Sequence, residues 1–255
     1  MKLMSNRPIL CLALAAPGLA FAQAQATIKT DNQFRYALGL GASYASGNTD
    51  SSSVNLSGDA VRATTDSKWQ IGGKALWART DGQTTAENLA LGTQYDRDIS
   101  PVYFGFAKAD FLRDKPANVS SRTSLFGGAG RHMIRTETLT WDVSLGLGYT
   151  EDRYIDPAEI NGELRSRYGR VEALVAEEST HKWTSTTSFH QKLSVYPALR
   201  SGGGYRGVFD SGLSVAMTDT LSLTAGLNYR YNSDPGSGLK KGDTLFVTGI
   251  SVKID

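Results

Sequence analysis

The sequence predicts an all-β fold, a twelve-stranded antiparallel transmembrane barrel of the outer-membrane type, and three observations carry that expectation. Aromatic residues pair eight positions apart on one face of four successive stretches: Tyr36 and Tyr44, Trp69 and Trp77, Tyr103 and Phe111, Trp141 and Tyr149. Eight residues of strand span about 26 Å, and a tilt of about 40° reduces the rise to roughly 20 Å, close to the apolar band of such a barrel. Tyr and Trp favour the edges of that band because their rings are apolar while their OH and NH tips stay hydrated. Period-two alternation recurs in twelve stretches separated by turn signals. No stretch beyond residue 22 reaches the ~20 apolar residues of a membrane helix, whereas in a barrel only every second residue meets lipid.

The first 22 residues read as a cleaved secretory signal. Lys2 and Arg7 precede an apolar core over residues 9–16, followed by Pro17-Gly18 and the small residues of Ala20-Phe21-Ala22. Cleavage there removes Cys11, the only cysteine, so no disulfide is expected in the mature chain. It also removes two of the 27 basic residues and none of the 25 acidic ones, leaving 25 against 25 and a net charge of zero. Nucleic-acid binding needs a basic excess and is disfavoured. Residues 23–33 read as a short periplasmic segment ahead of a barrel over 34–255.

Taken in order, each strand has an outward anchor, an inward polar residue or both. Strand 34–45 carries Tyr36 and Tyr44 outward. Strand 51–63 turns Asp59 inward; 68–79 sets Trp69 and Trp77 outward and Lys74 inward; 86–97 turns Asp96 inward. Strand 102–113 has Tyr103 and Phe111 outward and Lys108 and Asp110 inward, but this phase also sends Phe104 and Phe106 into the lumen, where they would fill a narrow barrel. Strand 121–133 fits either phase. Strand 139–150 is the clearest, with Leu139, Trp141, Val143, Leu145, Leu147 and Tyr149 alternating with Thr140, Asp142, Ser144, Gly146, Gly148 and Thr150. Strand 164–178 turns Arg170 and Glu172 inward, 183–196 puts Trp183 outward and Lys192 inward, and 205–217 turns in Arg206 and Asp210. Strand 221–232 repeats the clean pattern with Tyr229 outward and Arg230 inward, and 243–254 turns Lys253 inward. A slip of one residue would push Asp142 or Arg230 into lipid, at up to about 2–4 kcal/mol for a mid-membrane Arg and less for Asp, so register is well specified.

Connections alternate in length. Those at 64–67, 98–101, 135–138, 179–182 and 218–220 are tight, as periplasmic turns are; those at 80–85, 114–120, 151–163, 197–204 and 233–242 are mostly longer and suit the outer surface. Pro101, Pro116, Pro157, Pro197 and Pro235 all fall in these connections, where no ladder hydrogen bond is lost. Trp69, Trp141 and Trp183 follow tight turns and mark the periplasmic rim. A soluble sandwich with core tryptophans is the competing reading, and it gives no reason for that placement.

Laid out this way, the chain resembles the YdiY-like family of salt-induced outer-membrane proteins of undefined function (domain of unknown function 481). The resemblance covers about residues 34–254. It rests on Ser46-Gly47-Asn48-Thr49-Asp50, on Phe104-Gly105 followed by Asp110, Arg113 and Asp114, and on Gly127-Gly128-Ala129-Gly130-Arg131. The Val215-Ala216-Met217-Thr218-Asp219-Thr220-Leu221 hairpin and Lys241-Gly242-Asp243-Thr244 complete it. It implies an outer-membrane barrel, suggests service under salt or osmotic stress, and supplies no reaction. One departure concerns the C-terminus: outer-membrane strands commonly finish on an aromatic residue read by the barrel-assembly machinery, an expected partner during biogenesis, whereas Val252, Ile254 and Asp255 stand here.

The inward charges are Lys74, Lys108, Arg170, Lys192, Arg206, Arg230 and Lys253 against Asp59, Asp96, Asp110, Asp142, Glu172 and Asp210, seven to six. Opposite charges confined together pair, so a cross-linked interior is one expectation. A narrow pore of weak ion preference is the other, since a selective channel lines its constriction with one sign. Ser188 and His190 share a strand face, as a nucleophile and base would, and suggest a lipid hydrolase as the alternative function; the phase set by Trp183, Phe189, Leu193 and Val195 turns them inward, away from a lipid substrate. No metal-ligand spacing appears, so no cofactor is expected. Residues 236–242 lack the Gly-Lys-Ser/Thr ending of a phosphate loop and precede a strand. The acidic segment 151–163, with Arg153, Arg165 and Arg167, could meet lipopolysaccharide phosphates through divalent cations or arginine, or remain a solvated loop with local ion pairs.

Overall fold

The computed structural model describes residues 26, 28–45, 51–160, 162–200, 204–235 and 239–254. Residues 1–22 and 46–50 lie outside them, as does the side chain of Tyr44. The elements are β1 (Phe34–Ala45), β2 (Ser51–Ala63), β3 (Ser67–Thr80), β4 (Gln83–Asp98), β5 (Tyr103–Asp114), β6 (Val119–Arg135), β7 (Leu139–Ile160), β8 (Glu163–Lys182), β9 (Thr187–Pro197), β10 (Tyr205–Ala216), β11 (Leu221–Asn232) and β12 (Gly242–Ile254). Each strand pairs antiparallel with its neighbours in sequence, and β12 returns to β1, with Ile254 opposite Tyr36 and Ile250 opposite Leu40. Closure leaves no strand without a neighbour on each side, although β12 meets β1 only over Ile250–Ile254 and β9 meets β8 only over Val175–Lys182 of β8.

Period-two alternation decides which side chains face out. Leu38, Leu40, Val54, Leu56, Leu91, Leu125, Leu145, Leu147, Val171, Leu223, Phe246 and Ile250 are exposed on the outer face. They form the apolar belt. Leu145, 60% exposed, sits at its centre, midway between Trp141 and Tyr149. Leu145→Arg should destabilise the barrel by about 2–4 kcal/mol, seen as a lower denaturant midpoint and loss of the fast-migrating folded band on unboiled gels.

Four features of the connections differ from the sequence expectation. The connection at 80–85 is a two-residue turn, Asp81-Gly82, both with positive φ (50° and 77°), the geometry that matches strand twist in a tight hairpin. Residues 151–163 are not a loop: β7 runs on to Ile160 and β8 starts at Glu163, with Gly162 between them at φ 78°. Pro157 therefore lies within a strand, but where the register shifts between Arg153 and Ala158, so the missing donor breaks no ladder bond. Residues 179–182 complete β8, and the turn falls at 183–186. There Thr184 Oγ1 accepts from the Thr186 and Thr187 amides, which Ser179 and Thr180 do not do.

The phase left open for residues 121–133 is set by the ladder: Leu125 faces out at 61% exposure and Phe126 faces in at 5%. Glycine carries no side chain to reveal a face, so Gly127, Gly128 and Gly130 concealed this. Their function is space. A Cβ on Gly130 would lie 2.2 Å from Phe104 Cζ, and one on Gly148 would lie 2.2 Å from Phe126 Cδ1. The inward rings of β5 and β6 lie flat over bare backbone of β6 and β7.

Candidate functional site: a bridged lumen

The lumen is lined by the inward residues of all twelve strands and is crossed at several levels. Below, "lower" denotes the end with the turns 64–66, 99–102 and 136–138, and "upper" the opposite end.

At the upper level, β6, β7, β8 and β10 converge on two buried carboxylates. Arg122 donates to both oxygens of Asp152, at 2.5 and 2.9 Å, and Arg170 donates to Asp152 at 2.9 Å. Arg170 Nε also reaches Glu172 at 2.9 Å, Arg206 donates to both Glu172 oxygens at 3.1 and 2.6 Å, and Thr150 Oγ1 donates to Glu172 at 2.5 Å. Asp152, Glu172 and Thr150 are almost wholly enclosed. Buried charges survive only when paired and hydrogen-bonded, and these are.

At mid-height an apolar cluster of Phe104, Phe106, Phe126, Leu174, Ala176 and Tyr196 occupies one side. The Arg206 guanidinium lies 4.9 Å over the Tyr196 ring. Lys108 donates to the Tyr196 hydroxyl at 3.1 Å and pairs with Asp110 at 2.9 Å, tying β5 to β9. Across the lumen, Lys74 of β3 meets Asp210 of β10 at 3.6 Å, and these strands stand five places apart around the ring. Arg230 of β11 lies 3.8 Å from Asp114 of β5, six places away, directly opposite. Asn228 steadies Asp210 at 2.7 Å, and Leu76, Ala78 and Leu245 pack beside them.

At the lower level Lys68 pairs with Asp96 at 3.4 Å and Lys192 with Glu178 at 2.7 Å. His132 bridges Asp142 at 2.7 Å and Asp98 at 3.2 Å while stacking on Phe104 at 4.7 Å. Cavities open at both ends. The lower, with room for about 20 Å³, is walled by Lys68, Asp96, Phe104, Phe106, Glu178 and Lys192; the upper, equally small, by Asp152, Tyr154, Ile160, Arg170, Arg206 and Asp234. Phe106, Tyr196 and the Lys74–Asp210 bridge stand between the two ends.

All thirteen inward charges named from the sequence line the lumen. Eleven of them meet a group of opposite charge or a histidine as described; the other two, Asp59 and Lys253, flank Ala37 of β1 from its two sides. Sequence reading missed Lys68, Arg122, Asp152 and Glu178. Lys68 has the parity of Lys74, Glu178 that of Glu172, and Asp152 that of Thr150, so parity could have found these three; Arg122 lies on β6, whose phase the sequence leaves open.

Ser188 and His190 face inward, but His190 Nδ1 is 3.0 Å from Thr180 Oγ1 and Nε2 lies 3.7 Å from Glu178. Among the described residues no hydrogen bond joins Ser188 to His190. No group of three or more His, Cys, Asp or Glu among them could hold a metal.

On the outer face Tyr36, Trp69, Tyr103, Trp141 and Trp183 are exposed near the lower end and Trp77, Tyr149 and Tyr229 near the upper. Phe111 faces outward opposite Leu91, and Trp183 stacks on Phe189 at 5.4 Å. At the projecting β7–β8 hairpin, Arg167 and Arg153 both bond Glu151 and hold its carboxyl below the usual range, while Arg165 bonds Glu163 at 2.6 Å. Local pairing thus satisfies those two acids.

The chain is 24% identical over 196 residues to the uncharacterized protein YdiY of Escherichia coli (strain K12), covering 74% of this chain and 71% of that one. Among solved structures it is similar to the NanC porin (12% identity, TM-score 0.44, 86% of this chain and 97% of that one). It is also similar to the translocator domain of autotransporter NalP from Neisseria meningitidis (10% identity, TM-score 0.41, 86% of each chain). Residues 38–254 match the family described as a protein of unknown function, DUF481, and the chain belongs to that family.

Proposed function

We propose that this protein is an outer-membrane barrel whose lumen is a narrow polar passage, closed at rest by its own cross-lumen pairs and eased open as ionic strength rises, in the service of salt or osmotic stress. The observation that carries this reading is the Lys74–Asp210 bridge, whose 3.6 Å contact joins walls five strands apart. A barrel with a purely mechanical role has no use for charged cavities at both ends. Paired charges of both signs argue against strong ion selectivity.

Salt acts on such a device directly. The screening length falls from about 8 Å at physiological ionic strength to about 3 Å at 1 M, weakening pairs that water can reach. Lys74 and Asp210 are each about one-fifth exposed, so ions can reach them. The tight-turn end is the periplasmic one in this reading. Exposed Arg113, Arg153 and Arg167 at the other end suit lipopolysaccharide phosphates.

Planar-bilayer recording tests the proposal. Folded protein should open rarely in about 0.1 M KCl, and its conductance should rise faster than bulk conductivity towards 1 M. No conductance at any salt, from protein shown folded by heat-modifiable gel mobility, would leave a structural barrel. Frequent, salt-proportional opening would mean that the bridges do not close it.

A further inference from the structure

One outward position breaks the apolar rule. On β8 the outward residues between Val171 and His181 are Ala173, Val175, Glu177 and Ser179, and Glu177 stands opposite Val143 of β7 and Leu193 of β9, both belt residues. The Val143–Glu177 pair lies one outward pair inside the belt from Trp141–Ser179, and three outward pairs from Tyr149–Val171. Among the described residues Glu177 is the only acidic side chain on the outer face between the two aromatic rows. Its neighbours are polar too. Gln191 Nε2 donates to Glu177 at 3.3 Å, and Gln191 stands between Ser179 of β8 and Ser211 of β10 in the ladder.

We propose that this patch, Glu177, Gln191 and Ser211 across β8, β9 and β10, with Ser179 buried beside it, is the contact between two copies of the barrel within the membrane. Hydrocarbon offers no partner for a carboxylate or an amide, so a lone patch of this kind is costly unless protein covers it. The composition says which protein. An acceptor (Glu177) sits beside donors (the Gln191 amide and the Ser211 hydroxyl), so the patch complements itself across a two-fold axis, as an isologous dimer requires. A foreign partner for one acid would offer a cation, and nothing in the patch then explains the donors. Val175, Leu193, Val195 and Phe209 surround it and supply the packing surface.

Single cysteines test this in a Cys11→Ser background, which leaves the engineered thiol as the only one. In vesicles Gln191→Cys should oxidise to a disulfide-linked dimer, while Val54→Cys, on β2 five strands away, should not. Glu177→Leu should leave the folded band on unboiled gels and weaken dimerisation roughly tenfold by native mass spectrometry of detergent-extracted protein, the value of one membrane-buried hydrogen-bonded contact. A monomeric wild-type protein, equal cross-linking at both cysteines, an undiminished Glu177→Leu dimer, or cross-linking of Gln191→Cys to a different protein would each overturn the proposal.

Discussion

Replacing Glu172 by alanine should destabilise the folded barrel by about 3–5 kcal/mol, because it removes the anion from a network whose cations stay behind. Glu172 accepts from Arg170, Arg206 and Thr150, and its side chain is 1% exposed. Arg170 would keep Asp152; Arg206 would keep its stacking on Tyr196 and a 3.5 Å contact to Thr150. The loss therefore falls mainly on Arg206, a buried guanidinium left without a directly bonded counter-charge. Denaturant unfolding in detergent, followed by tryptophan fluorescence, reads the change. Removing both partners in a Glu172→Met and Arg206→Met double variant should recover a large part of it, since well-packed apolar residues replace a buried pair at little cost. A single-variant loss below about 1 kcal/mol, the range of solvent-exposed pairs, would mean that water reaches this network.

The second large effect concerns passage. Lys74→Ala with Asp210→Ala removes the bridge between β3 and β10 and leaves neither charge unpartnered by the other, so the barrel should fold with little loss. Conductance at low salt should rise several-fold over the wild-type protein, and the steep dependence on salt should flatten because the screened pair is gone. Lys74→Ala alone should open less and destabilise more, since Asp210 would lose its bridging cation and keep the hydrogen bond from Asn228 at 2.7 Å. An unchanged conductance in the double variant would assign closure to the Phe106 and Tyr196 layer, and Tyr196→Ala would then be the variant that opens.

The barrel was legible because membrane and lumen impose opposite demands on alternate residues. Leu145 beside Ser144, or Leu223 beside Thr224, states its face without any knowledge of neighbours. Turns were less legible where their chemistry was overlooked: Asp81-Gly82 and the Asn-Gly at 161–162 are tight-hairpin signals inside segments read as loops. The phase of β6 was hidden because a run of glycines has no face, and only the Phe104 and Phe126 rings lying over it show which way it turns.

What the sequence determined by itself was therefore the alternation, the strand order around a closed ring and the sign of each inward charge, all properties of a residue and its near neighbours in the chain. Only the tertiary structure decided which charges meet. Lys74 and Asp210 are separated by more than half the chain, and their approach depends on how far the closed sheet collapses across its own lumen, a distance set by all twelve strands together rather than by any local pattern.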